Sequence, residues 1–308
     1  MSSNRSNIIS VSRRTDIPAF HGDWFNKCIE QGKVTVPNVK TPGSRTVSLK
    51  KDDVTCFVFW SKNFTPFLST LHALRDEGFR SYFNYTVNRF PSEFEPEVNS
   101  SQAIGSLRAI SRMYSPAHIN WRYDPIVISG VTSPDWHREN FKQLCGSLQG
   151  YVERCYIAFP ALYGKVVKNI TAFRARTGIS IQDPDIKVKQ ELANDLSDIA
   201  RDHGIRMLSC SNDLLINDKI GKAHCIDGAI ISSLYGKEAP GYRPSRNQCG
   251  CTASVDIGNY DTCKHGCVYC YANTSRTTIN NMKAQEGSSP SSPGVGVKSA
   301  TAISVVFK

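Results

Sequence analysis

Repeatedly between Ile8 and Cys210, a short run of β-branched and aromatic residues is followed by a longer run with apolar residues three and four apart. Ile8–Ser12, Thr46–Leu49, Val54–Trp60, Ser81–Val87, His118–Trp121, Arg154–Phe159 and Ile205–Cys210 predict strands. Gly22–Gln31, Thr65–Glu77, Gln102–Tyr114, Pro134–Leu148 and Ile186–His203 predict helices. The last is the clearest: Val188, Leu192, Leu196 and Ile199 line one face, and Gly204 ends it. Strand then helix at this spacing means parallel strands joined by right-handed crossovers. The expected fold is α/β, a TIM-like (β/α) barrel, complete or partial, with an open doubly wound sheet as the alternative. From Asn212 the rhythm lapses, and only Ala253–Ile257 suggests a further strand. The expected organisation is a barrel body over 1–211, then a Cys-rich segment over 212–284 that carries the last strand and packs on the barrel. A Ser/Pro/Gly-rich, disordered tail is expected over 285–308.

At 308 residues, 40% hydrophobic, the chain can bury a substantial core. No stretch approaches the roughly 18 consecutive apolar residues of a membrane span. The first residues lack the apolar run of an export signal, and eleven cysteines is an odd number. Together these predict reduced thiols and a cytoplasmic protein without a membrane role. A net charge of +10 favours anionic partners, small molecules above all. Lys and Arg form no block, so nucleic acid is the weaker expectation.

Beyond the predicted last strand stands Cys263-Lys264-His265-Gly266-Cys267-Val268-Tyr269-Cys270. Thiolates prefer iron–sulfur clusters, zinc or Cu(I) to hard cations. A [4Fe–4S] cluster normally takes four cysteines, so a loop offering three leaves one iron open to a small molecule. A structural zinc knot is the alternative, although such knots usually pair cysteines as C-x2-C twice. Cys210, Cys225, Cys249 and Cys251 either cap this cluster, form a second zinc or iron–sulfur site, or pack as buried thiols. Cys28, Cys56, Cys145 and Cys155 lie within strand or helix patterns and are expected in the core.

Parallel α/β proteins build their sites at the C-terminal ends of strands. Three such ends are rich in polar residues: Arg13, Arg14 and Asp16 after the first strand, Lys62 after Trp60-Ser61, and Arg122 and Asp124 after Trp121. Arginine pairs suit bidentate binding of carboxylate or phosphate. Asn84 and Asn88 share that rim, and His21 and His265 could donate protons or ligate metal.

The cysteine loop, with Tyr269 before its last cysteine, resembles the radical S-adenosylmethionine (SAM) superfamily. The run Ser10–Phe20, Cys249-Gly250-Cys251, Ser254–Gly258 and Tyr260–Asn273 also resemble an uncharacterised prokaryotic family of unknown function, noted for a C-terminal cysteine cluster. The resemblance implies that Cys263, Cys267 and Cys270 hold a [4Fe–4S] cluster whose open iron binds SAM, with Tyr269 beside the cofactor. It further implies an electron donor such as flavodoxin or ferredoxin. A 5′-deoxyadenosyl radical would attack a substrate held by Arg13, Arg14, Asp16, Lys62, Arg122 and Asp124. In radical-SAM barrels the loop follows the first strand, whereas here it follows the last. A circular permutation that sets Ala253–Ile257 beside Ile8–Ser12 reconciles the two. The chain has no Gly-Gly-Glu stretch of the kind that contacts SAM. A non-catalytic iron–sulfur or zinc module, with nucleic acid as its candidate partner, is the other class of function.

Overall fold

A computed structural model describes residues 7–38 and 41–274. The chain opens with β1 (Asn7–Val11), a short α1 (Ile17–Phe20) and α2 (Gly22–Glu30), then a hairpin of β2 (Lys33–Pro37) and β3 (Ser44–Ser48). Strict alternation follows: β4 (Val54–Ser61), α3 (Leu68–Asp76), β5 (Ser81–Thr86), α4 (Ser100–Met113) and β6 (Ile119–Tyr123). Next come β7 (Ile128–Ser129), α5 (Pro134–Leu148), β8 (Arg154–Ile157), α6 (Gly164–Thr177), β9 (Ile181–Gln182) and α7 (Ile186–Asp202). Finally β10 (Arg206–Ser209), β11 (Gly221–Lys222), α8 (Gly228–Tyr235) and β12 (Val255–Asp256) lead into the cysteine loop.

Eight strands form one sheet in the order β11-β10-β8-β6-β5-β4-β1-β12. Every pairing in it is parallel. From β1 to β11 each new strand is laid on the same side of its predecessor. The last strand, β12, instead joins the opposite edge, beside β1. The sheet's two outermost strands, β11 and β12, are not hydrogen-bonded neighbours, so no paired seam closes a barrel among the described residues. The expected neighbour of the first strand is present: Ile9 faces Val255, and Ser10 faces Asp256.

Both faces of the sheet are covered, as parallel sheets require. Alternate residues Ile9, Val11, Phe57, Phe59, Phe83, Tyr85, Trp121 and Tyr123 join the larger core with apolar residues of α2 to α5 and α7. The opposite face presents Ile8, Val58, Tyr82, Tyr156 and Leu208. It is covered by Ile226, Ile231 of α8, Cys249 and Cys251. The Cys-rich stretch therefore packs directly on the inner strands.

Several elements differ from the sequence expectation. The strand at Thr46–Leu49 pairs antiparallel with β2, which was not foreseen, and stands outside the main sheet. Helix α6 has only Val166 and Phe173 buried, too few apolar contacts to make a recognisable stripe. Helix α8 interrupts the region where the rhythm was expected to lapse. Asp227 caps it by accepting from Ala229 and Ile230 N–H, and Gly236 ends it at φ 61°, a left-handed turn that glycine adopts freely. The expected tail lies outside the described residues. No helix among them is long and apolar enough to cross a membrane.

Candidate metal centre and strand-end site

Strand β12 sets the cysteine loop in place through Asp256. Its buried carboxylate accepts from Ser10 Oγ at 2.8 Å, Ser12 Oγ at 2.6 Å, Arg13 N at 2.8 Å and Gly258 N at 3.1 Å. Two strands at opposite ends of the chain are thus tied through one side chain. Gly258 lets the backbones approach, since a Cβ there would stand 2.1 Å from Ser12 Oγ. Beyond it the loop is pinned at several points. Val268 N donates to Phe94 O at 3.1 Å, Asn273 Nδ2 to Cys263 O at 2.6 Å, and His21 Nε2 lies 3.0 Å from Thr262 O. His265 is buried edge-on to Phe20, its Nε2 2.7 Å from Asp16 Oδ2.

Of the eleven cysteines, Cys263, Cys267 and Cys270 alone keep partial exposure, and the other eight are buried. Cys28, Cys56, Cys145 and Cys155 are core residues, as expected. Burial pushes the Cys263 thiol up to about 12, with Cys270 adding to the shift. It also raises Cys270 and lifts Cys267 well above the usual thiol range, against an opposing pull from the Lys62 charge on Cys267. As free thiols the three hold their protons at neutral pH, so a metal must displace them to bind.

No group of three or more His, Cys, Asp or Glu side chains among the described residues is set to hold a single metal ion. A cubane cluster makes a different demand, since each thiolate ligates a separate iron. The surroundings fit an additional polar group. His265 Nδ1, Asn273 Oδ1 and Thr15 Oγ1 are buried without a hydrogen-bond partner, and buried polar atoms are normally paired.

Beside Cys267, Lys62 Nζ donates to Glu95 Oε1 at 2.6 Å and lies 3.1 Å from Tyr269 Oη. Tyr269 donates to the same Glu95 oxygen, and Asn88 Nδ2 stands 3.2 Å from both. Burial alone would raise the Glu95 carboxyl, but the Lys62 charge and the hydrogen bonds around it hold it below its ordinary value. Burial likewise works against charge on Lys62, and Glu95 reverses that and holds its pKa up. Sequence reasoning missed Glu95. It sits among Glu93 and Glu97 in a loop with no strand before it to flag it.

Asn88 extends this network to the next strand end, where Asp124 N donates to its Oδ1 at 3.0 Å. Asp124 pairs with Arg122, whose Nη1 donates to Cys225 Sγ at 2.8 Å. Arg122 and Arg13 both lie over Trp60, their Cζ atoms 5.3 and 5.9 Å from the ring centroid. Trp60 Nε1 is buried between them without a partner.

The predicted residues thus divide. Lys62, Tyr269, Arg122 and Asp124 gather with Asn88 and Glu95 in one network. Arg13 and Arg14 flank Asp256, with Nε–oxygen separations of 3.7 and 4.0 Å. Asp16 faces inward: it caps α1 through Ala19 N and accepts from Lys62 N and His265, so its oxygens are engaged in positioning. Asn84 Nδ2 donates to Cys225 O at 2.7 Å. Cys210, Cys225, Cys249 and Cys251 cluster on the inner face, apart from the loop trio.

The fold and site define an α/β protein with an eight-stranded parallel sheet and charged side chains gathered at its strand ends. The chain belongs to the family described as Domain of unknown function (DUF1848), whose family model matches residues 8–272. That span takes in both Arg13-Arg14 and the cysteine loop. No curated protein matches the chain.

Proposed function

We propose that the loop bearing Cys263, Cys267 and Cys270 holds a [4Fe–4S] cluster with one iron open to SAM, and that the protein is a radical-SAM-like enzyme acting on an anionic small molecule. The observation that carries this reading is the partly exposed thiol trio, placed directly after β12 and beside the ends of β1 and β4. The remaining Cys-rich residues contact one another, which leaves the trio without a fourth thiolate from them. A cluster of this kind, when bound, supplies an electron to the SAM sulfonium, and the hard step belongs to the cofactor.

The chain's own residues have recognisable tasks in this reading. Asp16 orients His265 and thereby the loop. Lys62 places a cation beside Cys267 and offsets the charge of ligating thiolates, while Glu95 and Tyr269 fix its position. Arg13 and Arg122, stacked on Trp60, offer guanidinium groups to carboxylate or phosphate, and the unpaired Trp60 N–H adds a donor. The same reading takes the sheet as a partial (β/α) barrel, permuted relative to radical-SAM barrels, served by a small electron donor such as flavodoxin or ferredoxin.

The test is anaerobic reconstitution with iron and sulfide, followed by reduction in the presence of SAM. Iron–sulfur absorption and 5′-deoxyadenosine, both absent from a variant with Cys263, Cys267 and Cys270 changed to alanine, are the expected results. Zinc at the loop, or a cluster closed by a fourth thiolate, would sink the proposal.

A further inference from the structure

The cysteine trio leaves four other cysteines to explain. Cys210 follows β10, Cys225 follows β11, and Cys249 and Cys251 precede β12, so separate stretches bring them to one place. Cys210 Sγ and Cys225 Sγ are 3.1 Å apart. Cys251 lies close to Cys225 and Cys249, and each of the four is 5% exposed.

Packing as small hydrophobes does not account for the company they keep. A buried guanidinium seeks an anion, and Arg122 aims Nη1 at Cys225 Sγ. Ser245 Oγ donates to Cys249 Sγ at 3.4 Å. A cationic donor at Cys225 and a hydroxyl donor at Cys249 favour negative charge on those two sulfurs. The turn between Cys249 and Cys251 is tightly fixed, because a Cβ on Gly250 would stand 2.3 Å from the His224 ring.

Spacing selects the occupant. Zinc–sulfur bonds of about 2.3 Å at tetrahedral angles put ligand sulfurs about 3.8 Å apart. An iron–sulfur cube, with one thiolate per corner, needs its sulfurs farther from one another than the Cys210–Cys225 contact allows. As they stand, the four thiols, like every such group among the described residues, are not set round one metal ion. Loss of their protons and rotation about Cα–Cβ would be needed to bring them round one centre. We infer that Cys210, Cys225, Cys249 and Cys251 form a tetrathiolate site for a single zinc ion, with Arg122 offsetting part of its negative charge. The ion would join the turn after β11, at one outer strand, to the approach to β12, at the other. A hydrogen-bonded seam between those strands is absent, and the metal would take its place.

The test is independent of the cluster proposal. The full chain is purified without oxygen, and its metals are measured by mass spectrometry. About one zinc per chain is expected, retained when Cys263, Cys267 and Cys270 are all changed to alanine and reduced at least about tenfold by Cys225→Ser with Cys249→Ser. Because that double variant can fail to fold, the unaltered protein is also grown with cobalt(II). Thiolate-to-cobalt charge-transfer bands with tetrahedral d–d absorption support the site. Iron and sulfide remaining in the triple alanine variant, a Cys210–Cys225 disulfide, zinc that persists in the double variant, or no metal with all four thiols open to alkylation would each overturn it.

Discussion

Arg122 Nη1 donates to the sulfur of Cys225 across 2.8 Å, joining the end of β6 to the turn after β11. The same side chain pairs with Asp124 and lies on Trp60, so one buried cation serves a carboxylate, a thiol and an indole at once. Burial opposes its charge, and the Cys225 and Cys210 sulfurs hold its pKa above the ordinary arginine value.

Replacing Arg122 with alanine strands Asp124 without its partner. Breaking a buried pair from one side costs about 3–5 kcal/mol, so chemical denaturation of Arg122→Ala should show a loss of that order. Arg122→Lys should recover only part of it, because an ammonium cannot reproduce the forked contacts. A lysine variant as stable as the parent would contradict the geometry described.

The Lys62–Glu95 pair predicts stability that falls at both ends of the pH scale. Glu95 is depressed in the folded protein, so its contribution is present above the unfolded carboxylate range and is lost as pH falls through its folded value. Lys62 is raised, so its contribution is full below the unfolded lysine range and is lost as pH rises through its folded value. Glu95→Gln should flatten the acid limb and lower stability at neutral pH by about 3 kcal/mol, since Lys62 is then buried unpaired. Denaturant midpoints measured across pH in parent and variant check both.

Asp256→Ala removes the acceptor for Ser10, Ser12, Arg13 N and Gly258 N together. Each donor left buried and unpaired costs about 1–3 kcal/mol, so the change should be among the most destabilising single substitutions in the chain. Iron retained after anaerobic reconstitution should fall with it, because the loop hangs from this strand.

Gly258→Ala probes the same junction sterically. The new methyl would sit 2.5 Å from Ser12 Cβ, an atom that rotation of the side chain does not move away. Overpacking of this kind costs about 1–3 kcal/mol, readable as a lowered melting temperature. Gly164→Ala, with nothing within 4 Å of the added carbon, is the control and should change little.

The strand ends were legible where hydrophobic runs were long. Val54–Trp60 has both faces buried, so it reads as a continuous apolar run, and Lys62 directly after it was marked as a site residue. The helix from Pro134 to Leu148 begins with a Ser133 cap and proline, and its predicted bounds are those observed. Asn88 was placed on that rim, whereas Glu95 was harder to find because its role comes from distant partners. Glu95 gains its importance from Lys62 and Tyr269, 33 and 174 residues away. Asp256 likewise reads as an ordinary strand residue until β1 is laid beside it. Helix α8 was missed for a different reason. Asp227 caps it and Gly236 ends it, but eight mostly apolar residues carry no amphipathic period.

The pairing of Ser10 with Asp256 spans 246 residues. During synthesis β1 emerges first in the family domain, yet one of its two edges has no neighbour until nearly all of that domain has left the ribosome. Throughout that interval the nascent chain exposes an unpaired parallel edge, a surface on which chaperones act and misfolded contacts begin. The cysteines of the loop emerge later still, only a few residues behind the strand that anchors them. In the proposed function, cofactor insertion would therefore come last in biogenesis, into a sheet already assembled.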